Sequence, residues 1–68
     1  MHDPAYAAAE VFDEVAQAHR ATAAKLELLA SHCRSDSPDQ ADLLGRAEEE
    51  RSLADTASGR AEEARRLP

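Results

Sequence analysis

"SDSPDQAD", Ser35 to Asp42, is the stretch that decides how this chain folds. Ser37 precedes Pro38, and a proline ring pushes the residue before it out of the helical region. Ser37-Pro38-Asp39-Gln40 also spells a capping box. Serine stands at the cap, glutamine follows three residues on, and proline takes the first helical position, where its missing N–H is not needed. Asp39 and Asp42 add negative charge at the helix start, where the helix dipole favours it. One helix must end before this stretch, and another must begin inside it.

Working outward, the same kind of start occurs at Asp3-Pro4, an aspartate cap followed by a proline. From Pro4 to about Cys33 there is no further proline and no glycine, and most residues are strong helix formers. The pattern predicts a first helix over about 4–33, a turn over 34–37 and a second helix over about 38–66, with Leu67-Pro68 fraying. So short a connection between two long helices implies an antiparallel hairpin. The fold class expected is all-α, a single helical-hairpin domain over residues 1–68.

Heptad spacing sorts the faces. In the first helix the a and d positions are Ala5, Ala8, Phe12, Val15, His19, Thr22, Leu26, Leu29 and Cys33, and the e positions are Ala9, Ala16, Ala23 and Ala30. This stripe is wider than a two-stranded coiled coil uses and resembles the face of a bundle helix. The second helix places Leu43, Ala47, Glu50, Ala54, Ala57, Ala61 and Ala64 along its seam. Folding the hairpin sets Leu29 near Leu44, Leu26 near Ala47, Val15 near Ala57 and Phe12 near Ala61, large residues against small ones. One hairpin covers only part of the first helix's face. Two hairpins packed through the remainder would make a four-helix bundle with the first helix central. Phe12, Val15, Leu26, Leu29, Leu43, Ala47, Ala54, Ala57 and Ala61 are the expected core and self-association seam.

Composition points the same way. Of the 29 apolar residues 16 are alanine, so few large side chains are left to stabilise one small domain. A partner is expected, most simply a second copy. Net charge is −6 and no basic run exceeds Arg65-Arg66, which argues against direct nucleic-acid binding. No apolar run approaches the ~20 residues that span a bilayer. The N-terminus lacks the basic region of a signal peptide, and a single cysteine forms no internal disulfide, so a reducing cytoplasm is the expected location. Seven arginines to one lysine, with the alanine load, suggest GC-rich coding and a bacterial origin.

Polar residues interrupt both seams: His19 and Thr22 in the first helix, Glu50 in the second. The fold-back sets Glu50 near the level of Thr22. Such a layer either fixes register and oligomeric state or lines a ligand or metal pocket. A di-metal bundle uses Glu-x-x-His pairs, and the chain has none. His32-Cys33 has no second cluster to complete a tetrahedral site, so Cys33 is expected to end the seam as a small hydrophobe. Neither a phosphate loop nor a nucleophilic set is present, and no enzyme, cofactor or metal is expected. The acids Asp36, Asp39 and Asp42 are expected to be a solvated helix start.

"GRAEEER", Gly45 to Arg51, returns as "GRAEEAR", Gly59 to Arg65, fourteen residues on. Two heptads separate the copies, so both meet the same helical face. Arg46, Arg60, Arg51 and Arg65 then flank the alanine seam, covering it with their aliphatic stems. Glu48–Arg51 and Glu62–Arg65 are spaced for i,i+3 pairs. Gly45 and Gly59 fall at the outward f position, and with Leu28 and Leu53 they suggest an outer contact surface. The functional expectation is a small non-enzymatic interaction protein, a homodimer that binds or sequesters a protein partner. The alternatives are a ligand- or metal-binding bundle built on His19, Thr22 and Glu50, and an accessory subunit of a larger helical complex.

Overall fold

A computed structural model describes residues 4–66. The expected cap Asp3 lies outside the described residues, as do Met1, Leu67 and Pro68. The described chain is two helices, α1 over Pro4–Ser31 and α2 over Pro38–Arg66, packed as a hairpin with no strand among the described residues.

The turn is built as its residues dictate. The Gln40 amide donates to Ser37 Oγ at 3.1 Å, which is the serine half of the capping box. Gln40 Oε1 accepts from the Asp36 amide at 3.1 Å, one residue before the cap. Its Nε2 reaches across to the Ala30 carbonyl at 3.3 Å, so one glutamine ties the start of α2 to the end of α1. Asp36 takes the left-handed conformation, with φ 63°. Aspartate is among the few non-glycine residues that do so readily.

α1 ends at Ser31, two residues before the expected Cys33. No glycine or asparagine is present to stop the helix in a left-handed cap. Its last turn tightens instead: the His32 and Cys33 amides donate to the Leu29 and Ala30 carbonyls, both at 3.1 Å and three residues back. α2 starts at Pro38, where the sequence places it, and is helical to Arg66, the last described residue.

The contact between the helices is alanine on alanine. α1 buries Ala9, Ala16, Ala23 and Ala30, seven residues apart, and α2 buries Ala47, Ala54, Ala57, Ala61 and Ala64. Ala9 packs with Ala61 and Ala64, against which Phe12 and Ala8 lie half-buried. Ala16 packs with Ala54 and Ala57. The contact face of α1 is therefore centred on its a and e positions, rotated away from the a/d pairing that the large residues mark out. Val15 and Leu29 are 39% and 55% exposed as a result. The cause is steric. Side chains at a helix contact set the interaxial distance, and a smooth stripe of methyl groups lets two backbones approach more closely than valine or leucine allows.

A close-packed alanine seam has no room for a larger side chain. Ala16→Leu or Ala54→Leu should cost about 1–3 kcal/mol in urea unfolding, as overpacked cores do. Leucine at the exposed Ala24 should shift stability by less than about 0.5 kcal/mol. Equal tolerance at positions 16 and 24 would mean that the helices are not in close contact.

Candidate functional site

The two flanks of the alanine seam differ in kind. On one flank α1 presents Asp13, Arg20 and Glu27, seven residues apart, and α2 presents Arg65, Ser58 and Arg51 at the same interval. They pair rung by rung: Asp13 with Arg65, Arg20 with Ser58 at 2.9 Å, and Glu27 with Arg51. The hydrogen bond that Arg65 donates to the Asp13 carboxylate raises the guanidinium pKa above its ordinary value. The expected i,i+3 pairs Glu48–Arg51 and Glu62–Arg65 do not form. Both arginines reach across to the other helix instead, and Glu62 pairs weakly with Arg66 at 3.9 Å. Crossing brings each guanidinium to a carboxylate on a helix already held beside it. The sequence signal for this ladder is the shared seven-residue interval, which a reading within one helix passes over.

The other flank is open. Val11, Phe12, Val15, His19, Leu53, Thr56, Ala57 and Arg60 line a groove of about 250 Å³ that runs along it. Val11 and Leu53 are 57% and 50% exposed. This is the part of the first helix's apolar face that the hairpin leaves uncovered. It holds three of the large exposed apolar residues, Val11, Val15 and Leu53.

At the groove's edge lies the polar pair. His19 Nδ1 bonds the Glu50 carboxylate across the seam, with both side chains about three-tenths exposed or less. The third expected member, Thr22, is exposed and donates to the Ala18 carbonyl at 3.0 Å, within its own helix. The layer is thus a pair. No group of three or more His, Cys, Asp or Glu side chains is placed to hold a metal ion among the described residues. Cys33 is half-buried with Sγ 3.5 Å from the Leu29 carbonyl, and His32 beside it is exposed.

Of the other expected positions, Leu26 and Leu43 are half-buried. Leu28 is 61% exposed at the c position of α1, opposite the seam. Nothing lies within 4 Å of where a side chain at Gly45 or Gly59 would project. Of Leu28, the two glycines and Leu53, only Leu53 lines the groove.

Two outcomes follow from these placements. Gly45→Ala and Gly59→Ala should each raise unfolding stability by about 0.8–1 kcal/mol, the helix-propensity difference, because the added methyl meets open space. A loss at either position would reveal an outer contact. Replacing both members of the polar pair, His19→Leu with Glu50→Leu, should leave a helical protein at least as heat-stable as the parent, since paired polar groups exchange for apolar ones at little or no cost. A collapse of the thermal transition in that variant would assign the pair a larger structural role. No protein-family model, curated protein or solved structure matches this chain, so the functional reading rests on its own geometry.

Proposed function

We propose that this protein is a small non-enzymatic helical assembly protein, which self-associates into a four-helix bundle and offers its outer helical surface to a protein partner. One observation carries the proposal: among the described residues the hairpin fully buries no side chain larger than alanine. Val11, Leu29 and Leu53 are half or more exposed, and Val15 is 39% exposed. Apolar burial is the main force that holds a fold together, and a domain this small has little to spare. Packing one open flank on another would take these side chains out of water and complete the core that each hairpin lacks. After such packing Leu28, on the far side of α1, remains as an exposed apolar anchor for a different protein.

A ligand-binding role for the polar layer has less support. His19 and Glu50 satisfy each other, and Thr22 bonds within its own helix.

Sedimentation equilibrium at micromolar concentration should give a dimer. Val15→Asp or Leu53→Asp should shift it to monomer with loss of helical signal or thermal stability, because each buries a charge in the proposed interface. A wild-type protein that stays monomeric and stably folded would end this reading. For the second surface, Leu28→Asp should remain dimeric and yet lose any protein that the wild-type dimer captures reproducibly.

A further inference from the structure

At the edge of the open flank α2 carries one stripe at alternating three- and four-residue spacing: Arg46, Glu49, Leu53, Thr56, Arg60 and Glu63. All six are exposed. None of its four charged residues joins an ion pair among the described residues, whereas Arg51 and Arg65 on the opposite flank are both paired. The order along the stripe is cation, anion, apolar, hydroxyl, cation, anion. Turned end for end, the same stripe is complementary to itself. Arg46 meets Glu63, Glu49 meets Arg60, and Leu53 meets Thr56.

We propose that the occupant of the open flank is a second copy of this chain docked antiparallel, α2 against α2, about a two-fold axis that passes between Ala54 and Asp55. This rests on the self-association proposed above and adds its orientation and register. Arg46 and Glu49 face Glu63 and Arg60 of the other copy, and the symmetry repeats both contacts. Leu53 enters the groove that Val15, Thr56 and Ala57 line, and the axis crosses α1 near Val15 and Ala18.

Charge selects this register over its neighbours. Sliding one copy so that the paired positions shift by a heptad one way sets Asp42 against Arg60 but Asp39 against Glu63, and attraction and repulsion cancel. Sliding it the other way sets Glu63 against Leu53 and Arg60 against Thr56, with no ion pair. Laying α1 over the other copy's α2 instead brings Arg46 to Lys25 and Arg60 to Val11. The complementary pattern matters more because each copy carries a net charge of −6, so two copies repel unless their charges are placed to meet.

Size is adequate as well. The axis lies close to Ser52, the middle residue of α2, so the copies overlap along nearly their whole length. The hairpin spans 53 × 16 × 9 Å between its Cα extremes. Its broad face can supply the roughly 800 Å² per partner that a stable interface buries.

Charge reversal in the full-length protein tests the register. Glu49→Arg alone sets arginine against Arg60 twice in each dimer, and Arg60→Glu alone sets glutamate against Glu49 twice. Either should raise the dimer dissociation constant about tenfold at low ionic strength, with the effect shrinking as salt is added. The double variant Glu49→Arg with Arg60→Glu restores both contacts and should return to within about threefold of wild type, the non-additive signature of a direct pair. Far-ultraviolet circular dichroism at matched concentration above the dissociation constant checks that each variant stays helical. A wild-type monomer would remove the self-association reading itself. A wild-type dimer whose dissociation constant ignores the single reversals, or is not rescued by the double, would overturn this register and leave self-association standing.

Discussion

Close contact between two alanine stripes is the constraint on which the rest of the molecule depends. Both helices carry alanine at seven-residue intervals, Ala9 to Ala30 on α1 and Ala47 to Ala61 on α2. Methyl groups meeting methyl groups permit a short interaxial distance, and dispersion then acts between backbones as well as side chains. The same contact has a cost in kind. A seam made of alanine removes little apolar area from water, and the larger side chains must stand at its edges. What the hairpin gains in closeness it gives up in hydrophobic burial.

Two repeating stripes of one small residue are degenerate: sliding one helix by a heptad brings alanine to alanine again. The polar ladder breaks that degeneracy. In the observed register Arg20 meets Ser58. A slip of seven residues in either direction would set Arg20 against Arg51 or Arg65, and like charges face to face are unfavourable. The rungs Asp13–Arg65 and Glu27–Arg51 are exposed, about four- to five-tenths, and solvent-screened pairs of that kind add little cohesion. Their work is selection among registers more than cohesion. The ladder occupies one flank, which also carries Tyr6 and Leu44, while Val11, Val15 and Leu53 stand exposed on the other.

How far this was legible in the sequence varies with the kind of signal. Caps and proline act locally, so the start of α2 and the position of the turn could be read residue by residue. The end of α1 could not, because a helix without a stop residue ends where the chain must turn, and that depends on the neighbouring helix through Gln40 and Ala30. Heptad spacing found the seam on α2, yet on α1 it favoured Val15 and Leu29 over Ala16 and Ala30. Pattern reading weights side chains by their apolar size, whereas a close helix contact weights them by smallness. His19 and Glu50 were legible as polar interruptions that come together. The separation of Thr22 was not, since a threonine in a helix has its own carbonyl partner four residues back. The ladder was missed because its meaning lies in two intervals compared across helices.

The doubled heptapeptide of α2 becomes intelligible on the same terms. Its copies differ at one place, Glu50 in the first and Ala64 in the second. At position 64 the facing residues are Ala9, Ala8 and Phe12, and alanine is what the seam needs there. At position 50 the facing residue is His19. A heptad slip would bring His19 opposite Ala57 or Leu43 and Glu50 opposite Leu26 or Phe12, leaving both polar groups unpartnered against apolar side chains. That penalty is the usual way a polar residue in a seam specifies register. His19 and Arg20 are adjacent in sequence but act on opposite edges of the seam, and both choose the same alignment. The repeat supplies scaffold that would fit equally well in several positions, and its single departure from repetition is what makes one of them unique.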